Sequence, residues 1–310
     1  MAKFKLHAND PLAEDAMNIL ENSGLFEISA EHYDNDELKK KLDGVDFLVV
    51  RSATKVKRDV IEAGKDLKVI GRAGIGLDNV DLEAAKENGI EVHNTPGANA
   101  LSVSELTMGM ILSFFRFIPR GTYGLKDGLW EKKKLKGHEI SGKTIGIIGF
   151  GAIGKDVAKK SRAFGLEVIA YDPFIKETDM DVKLVNDLDV LLENSDIISL
   201  HVPLTDKTKH IIGKEEFSKV KDGAFLVNLS RGGTVDEEAL YNALLDEKLC
   251  GAALDVFEVE PPTDELRRKL LQFDNVICTP HIGATTFEGQ RRVGLEMAEK
   301  LVNVAKKLKA

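Results

Sequence analysis

The chain has little of the residues that would mark an unusual class of protein. Only two cysteines occur in 310 residues, Cys250 and Cys278, each inside an apolar run. They read as small buried hydrophobes in a reducing compartment, which excludes a disulfide scaffold and leaves no thiol cluster for a metal. The start, MAKFKLHAND, has no apolar core of the kind a secretory signal needs. The longest apolar stretch, Leu106 to Ile118, is too short for a membrane span and carries Arg116. No membrane partner is therefore expected, and the chain reads as cytoplasmic. Positive charge is in deficit, 43 Lys and Arg against 51 Asp and Glu, and the net charge of −8 argues against nucleic acid as a partner. Tandem repeats and low-complexity segments are also missing. What remains is an ordinary globular composition over a length that suits two domains, each with its own core.

Against that background the segment from Lys143 to Pro173, KTIGIIGFGAIGKDVAKKSRAFGLEVIAYDP, stands out. It reads as strand, glycine turn, amphipathic helix, strand, acid. Gly149, Gly151 and Gly154 give G-x-G-x-x-G directly after the apolar run Ile145 to Ile148, and Asp172 closes the next strand. Such a turn lets a backbone approach a pyrophosphate, which then faces the N–H groups and dipole of the helix that follows. An acid at Asp172 accepts hydrogen bonds from ribose hydroxyls and repels a 2′-phosphate, so NAD is expected over NADP. A second glycine cluster, Gly71-Arg-Ala-Gly74-Ile-Gly76, lacks the third glycine in register and is not read as a pyrophosphate loop.

Elsewhere short apolar runs alternate with helical patterns: Phe4–Leu6, Phe26–Ser29, Phe47–Val50, Lys68–Gly71 and Ile90–His93. This predicts a parallel α/β unit. A turn-rich crossing, Asn94-Thr-Pro-Gly-Ala-Asn99, follows. Ser102 and Glu105 form a capping-box pattern for an apolar helix over 102–117, hydrophobic all round and so expected at a domain or subunit interface. Lys132 to Lys136 and Gly137 form a basic loop. After Asp172 come four apolar runs, Ile197–Leu200, Ala224–Leu229, Ala252–Val256 and Val276–Cys278, each ending in a polar group: His201, Ser230-Arg231, Asp255 and His281. Beyond Gly283 one helix is predicted from Thr286 to about Lys307. In open parallel sheets, ligands bind outside the carboxyl ends of the strands, so these side chains are expected to converge on one crevice.

Seven histidines compete for a catalytic role. His7, His32, His93, His138 and His210 sit in turns or at ordinary element ends. His201 ends a strand, where contact with a cofactor is expected. His281, in TPHIGA, follows a strand between a proline and a glycine, and an imidazole there suits proton exchange with an alcohol or ketone. The plain alternative is a strand-end histidine satisfied by backbone. Glu260, in EVEPP, is placed to orient His281 and raise its pKa. Arg231, in NLSRGG, is suited to grip a carboxylate through two parallel hydrogen bonds. Loop charges or a simple ion pair remain the bland reading of both.

Taken in order, GFGAIG, Asp172, NLSRGG, ALDVFEVEPP and TPHIGA resemble the D-2-hydroxyacid dehydrogenase family. The resemblance implies two doubly wound parallel-sheet α/β domains, a Rossmann-type NAD-binding domain (99–283) inserted into a discontinuous substrate-binding domain (1–98 and 284–310). It makes His281 the proton donor and acceptor, Glu260 its partner and Arg231 the carboxylate and carbonyl binder. NAD would meet Gly149, Gly151, Ala152, Ile153, Gly154, Asp172, His201, Val202, Pro203, Thr208, Leu229, Ser230, Arg231, Asp255, His281 and Gly283, with Asp255 near the nicotinamide. Formate dehydrogenases of this family lack the glutamate beside the histidine, so Glu260 counts against that reaction.

The first half, through LVVRSATKV, VIGRAGIGLDNVDLEAA, NTPGANALSVSELTMGMIL and GLWEKKK, resembles members acting on D-3-phosphoglycerate. That implies substrate contacts at Arg51, Ser52, Arg72, Ala73, Gly74 and Lys132, a small phosphorylated 2-hydroxy acid as partner, and a homodimer or homotetramer. Rival expectations are the same chemistry on glyoxylate, hydroxypyruvate or lactate, and more remotely an NAD(H)-sensing protein like the C-terminal-binding-protein corepressors. Two departures stand out. Ile75 replaces a small polar residue, at the expense of one cofactor hydrogen bond, and the chain stops at Ala310 without the regulatory domain many such enzymes carry, so feedback by serine is not expected.

Overall fold

The computed structural model describes residues 2–310, which divide into two compact units. One unit comprises the chain up to Asn99 together with Thr285–Ala310; the other is Ala100–Ala284.

In the first unit the chain runs β1 (Phe4–Ala8), α1 (Glu14–Asn22), β2 (Phe26–Ser29), α2 (Asn35–Lys41), β3 (Phe47–Val50), α3 (Arg58–Ala63), β4 (Val69–Arg72), α4 (Leu82–Glu87) and β5 (Glu91–Asn94). The five strands form one parallel sheet in the order β2-β1-β3-β4-β5. Both faces are covered, which is why β3 reads as the unbroken apolar run Phe-Leu-Val-Val. Its alternate residues serve two cores: Phe47 and Val49 join Leu6, Leu20 and Leu301 on one side, while Leu48 and Val50 join Leu38, Val60 and Ile70 on the other.

The second unit contains α5 (Ala100–Phe115), α6 (Ile118–Lys126), β6 (Thr144–Ile148), α7 (Ala152–Ala163), β7 (Glu167–Tyr171), β8 (Lys183–Val185), α8 (Leu188–Asn194), β9 (Ile197–Leu200), α9 (Lys214–Lys219), β10 (Ala224–Asn228), α10 (Glu237–Leu245), β11 (Leu249–Leu254), α11 (Glu265–Leu270) and β12 (Val276–Cys278). Its seven-stranded parallel sheet has the order β12-β11-β10-β9-β6-β7-β8. The chain starts at β6, winds outward to β8, then returns to the other side of β6 as β9. Strand order reverses between β6 and β9, the place where doubly wound sheets open a crevice at their carboxyl edge. The last helix, α12 (Phe287–Lys309), belongs to the first unit. The Thr286 side chain caps it by accepting from the Gly289 N–H, and its stripe Val293, Met297, Leu301 and Val304 is buried.

The elements depart from the sequence expectation in four places. The apolar helix begins at Ala100, not Ser102, so Ser102 is a buried interior residue and not a cap. It ends at Phe115; Phe117, with φ 53, breaks the path in left-handed backbone, and α6 sets off at 63° to α5. Nine residues of α5 are buried, and it packs against α7 and β11 in its own unit. β8 was not foreseen, because a three-residue edge strand that is half exposed carries no apolar run. Cys250 is exposed, against the expectation of burial, since it is the second residue of β11 beside the register shift at Ala224/Phe225. No single helix among the described residues is long and apolar enough to cross a membrane.

Candidate active site

The glycine turn between β6 and α7 is compact for steric reasons. Gly149 has φ 92, and a Cβ there would collide with the His201 carbonyl; a Cβ on Gly154 would collide with the Gly149 carbonyl. Gly151 differs: a Cβ built on it would meet nothing within 4 Å. It caps α7, so the first N–H groups of that helix, at Ala152 and Ile153, border open space. Asp172 lies alongside, its Oδ2 accepting from the Phe150 N–H at 2.9 Å and its Oδ1 from the Phe174 N–H at 2.9 Å. Open space over a helix N-terminus, beside a fixed carboxylate at the next strand end, fits a dinucleotide.

His201 follows β9, with its N–H donating to the Ile148 carbonyl at 2.7 Å and Nε2 2.9 Å from Ser199 Oγ. Burial pushes its pKa down to about 3, so the ring is neutral, and Nδ1 is buried without a hydrogen-bond partner. Its neighbour Val202 packs beside Gly149, and Thr208 Oγ1 donates to the Pro203 carbonyl at 2.5 Å.

Beyond β10, Asn228 folds the loop carrying Leu229, Ser230 and Arg231. Its Oδ1 accepts from the Ser230 N–H (3.0 Å) and hydroxyl (2.8 Å), while its Nδ2 donates to the Arg231 carbonyl at 3.2 Å. An Arg231 guanidinium nitrogen donates to the Ser230 carbonyl at 2.7 Å.

Beyond β11, Asp255 is 1% exposed, and its carboxylate ties down the loop that carries His281. Oδ1 accepts from the Ile282 N–H at 2.8 Å and from Thr279 Oγ1 at 2.6 Å, and Oδ2 accepts from the Gly283 N–H at 2.8 Å. His281 is thereby held at φ 53, a backbone conformation that non-glycine residues adopt only when the surroundings impose it.

Glu260 completes the arrangement. Its Oε1 accepts from the Phe257 N–H at 3.1 Å and its Oε2 lies 2.8 Å from His281 Nδ1. With Nδ1 engaged, Nε2 is the ring atom left for a ligand. The Glu260 hydrogen bond, reinforced by the charges of Glu260 and Asp255, raises the His281 pKa above 6.5 in spite of burial and of Arg231. Burial pushes the Glu260 carboxyl up, but the bonds from His281 and the Phe257 N–H, with the charges of His281 and Arg231, hold it below its usual range. The structure thus joins Arg231, Glu260 and His281 in one charge-coupled group at the carboxyl edge of the second sheet.

The first unit gathers a second group. Asp10 Oδ2 accepts from the Arg51 N–H at 2.7 Å, fixing the turn after β3 in which Ser52 is exposed. Asn79 links this turn to β4: its Nδ2 donates to the Arg51 carbonyl at 2.7 Å, and Arg72 Nε donates to its Oδ1 at 3.2 Å. Ala73 is buried, and Gly74, with φ 144, leaves room for the Arg72 guanidinium where a Cβ would collide with it. Lys132 belongs to the other unit and is exposed in the turn after α6. Of the remaining histidines, His7 lies inside β1, not at a turn, buried and bonded to Ser29 and Asn9; His210 pairs with Glu258 at 2.8 Å. Asn228, Thr279 and Asn79 escaped the sequence reading. For the first two the available signal was a polar side chain at the end of an apolar run.

A reversed-order parallel sheet, a bare helix N-terminus beside a ribose-suited acid, and an acid-coupled histidine define a nucleotide-linked oxidoreductase. The family model for the D-isomer specific 2-hydroxyacid dehydrogenase, NAD binding domain matches residues 108–283, and the chain belongs to that family. It is 60% identical to a hydroxypyruvate reductase of Thermotoga maritima, over 97% of this chain and 98% of that protein. It is 52% identical to a D-3-phosphoglycerate dehydrogenase of Methanocaldococcus jannaschii over 97% of this chain, which spans 57% of that protein's length. Among solved structures, the D-lactate dehydrogenase of Aquifex aeolicus complexed with NAD and lactic acid superposes with a TM-score of 0.86 at 31% identity, covering 98% of this chain and 96% of that one. The cofactor is NAD, and the activity is that of an NAD-dependent D-2-hydroxyacid dehydrogenase.

Proposed function

We propose that the chain catalyses the reversible oxidation of D-3-phosphoglycerate to 3-phosphohydroxypyruvate. The observation that carries this reading is that Arg51 and Arg72 stand at the ends of neighbouring strands, with Asn79 donating to the Arg51 carbonyl and accepting from the Arg72 guanidinium. Two arginines at neighbouring strand ends suit a phosphate dianion, and a lactate-sized acid has no second anionic group to occupy both. Ser52, Ala73 and Gly74 belong to the same proposed recognition surface, and Lys132, in the other unit, is proposed as a further cation for the substrate.

Bound NAD supplies the hydride acceptor; Gly149, Gly151, Ala152, Ile153 and Gly154 take its pyrophosphate and Asp172 its ribose. His201, Val202, Pro203, Thr208, Leu229, Ser230, Asp255 and Gly283 complete its surroundings. Arg231 grips the substrate carboxylate and polarises the adjacent oxygen. His281 Nε2 removes the hydroxyl proton during oxidation and returns it during reduction, while Glu260 stabilises the imidazolium that forms. The units 1–98 with 284–310 and 99–283 take the substrate-binding and NAD-binding roles.

A second reading, reduction of hydroxypyruvate, is favoured by the Thermotoga maritima relative. NADH absorbance separates them. Turnover of 3-phosphohydroxypyruvate well above hydroxypyruvate, glyoxylate or pyruvate supports the phosphorylated substrate; the reverse order supports the second reading.

A homodimer is the proposed assembly. Tyr123, Leu125, Leu129 and Trp130 are 67%, 59%, 52% and 81% exposed along and just after α6, an apolar patch that a second copy would cover. Sedimentation of a Trp130→Asp variant as a monomer supports this; an unchanged dimer removes the patch from the interface.

A further inference from the structure

Beneath the Glu260 loop lies a buried ionic cluster to which the reaction above assigns no role. Glu237, opening α10, is 4% exposed, and Arg267, in α11, is 8% exposed. Arg267 Nε lies 2.6 Å from Glu237 Oε2, and its terminal nitrogens meet Asp264 Oδ2 at 2.8 Å and Glu258 Oε2 at 3.1 Å. Glu258 is therefore gripped at three points: by Arg267, by Glu237 Oε1, which accepts its backbone N–H at 2.8 Å, and by His210 Nε2 at 2.8 Å from its Oε1. The Arg231 loop is seated on the same backbone, because a Cβ at Gly232 would collide with the Phe257 carbonyl. Glu258 stands two residues before Glu260, and the Phe257 N–H donates to the Glu260 carboxylate.

We infer that Arg267 and Glu237 are positioning residues, which hold the 257–260 backbone in the one arrangement that lets Glu260 reach His281 Nδ1. A buried ion pair is a weak device for stability, since removing charges from water offsets most of their attraction. A planar guanidinium that hydrogen-bonds the Asp264 and Glu258 carboxylates, with Glu237 in close ion-pair contact, is, in contrast, a directional clamp. The clamp acts on the same backbone that seats the Arg231 loop, so it organises two of the three charged groups of the site together.

This inference rests on Glu260 and His281 being the proton-handling pair. The test is the double variant Glu237→Leu with Arg267→Leu, which replaces the ion pair with apolar side chains and so leaves no lone buried charge. Three quantities are measured: kcat, KM for NAD, and the pKa of His281 by NMR in the substrate-free enzyme, where Glu260, Asp255 and Arg231 are the charged groups that face the ring. The expected result is kcat lower by about 10–100-fold with KM for NAD within about twofold, and a His281 pKa moved down toward 6.5. A folded double variant with unchanged kcat and unchanged His281 pKa overturns the inference. Should that variant not fold, Glu258→Gln removes the clamped charge and keeps the side chain; the same direction of change supports the clamp and no change overturns it. Glu260→Gln in the same assays separates the two claims. Full activity there sinks the proton-handling pair, whereas lost activity there beside an intact double variant sinks only the positioning role.

Discussion

At the carboxyl end of β3, the Asp10 carboxylate takes the N–H groups of Arg51 and Thr54. At the carboxyl end of β11, the Asp255 carboxylate takes those of Ile282 and Gly283. Both units thus fix a loop after a buried parallel strand with a largely buried acid that accepts from backbone N–H groups. They differ in what the fixed loop presents. In the first unit it carries Arg51, whose carbonyl is tied by Asn79 to the Arg72 guanidinium on the next strand, an arrangement proposed to hold an anion. In the second it presents an imidazole already coupled to a carboxylate, which is suited to moving a proton. In the proposed reading similar scaffolds separate recognition from chemistry, and variants in the two groups are expected to fail differently.

The largest expected effect lies in the second group. His281→Ala should lower kcat by about 10²–10⁴-fold, the usual worth of a positioned acid-base group, with NADH affinity by fluorescence titration unchanged. A fully active variant would remove the distinction between the groups. Arg231→Lys keeps the charge but loses the planar fork, so kcat/KM should fall by about 10–100-fold for every 2-oxoacid tested. A loss confined to phosphorylated substrates would instead make Arg231 part of the recognition group.

Glu260→Gln sharpens the comparison through pH. Because Glu260 raises the His281 pKa, the imidazolium persists to higher pH than in a free histidine. Oxidation needs the neutral ring, so its rate climbs as pH rises through that raised pKa, while reduction declines over the same interval. The variant should move both inflections to lower pH, and profiles that stay in place would uncouple the two residues. The smallest effect is expected at the cofactor. Asp172→Ser should narrow the preference for NAD over NADP by about tenfold and weaken NAD binding, since the Phe150 N–H loses its acceptor; calorimetry with both cofactors reads it.

Much of this was legible in the sequence because parallel strands covered on both faces leave unbroken apolar runs, as at Phe47–Val50 and Ile197–Leu200. The glycine turn was legible because steric demand at Gly149 and Gly154 fixes residue type. What could not be read depends on tertiary context. Arg267 sits in the charged run ELRRK, which looks solvated until α11 packs it onto Glu237. Asp255 reaches its partners in the His281 loop across more than twenty positions of chain, a distance no local pattern carries. The Ser102–Glu105 capping box misled because the turn-rich crossing lets the helix begin two residues earlier, and Phe117 breaks it in left-handed backbone just before Pro119 opens α6.

The division between recognition and chemistry is tested most directly by the double variant Arg51→Ala with Arg72→Ala, assayed with NADH on 3-phosphohydroxypyruvate and on hydroxypyruvate. The account predicts that kcat/KM for the phosphorylated substrate falls by about 10²-fold or more, mainly through KM, while hydroxypyruvate turnover is retained. Equal losses on both substrates, or none on either, would contradict it.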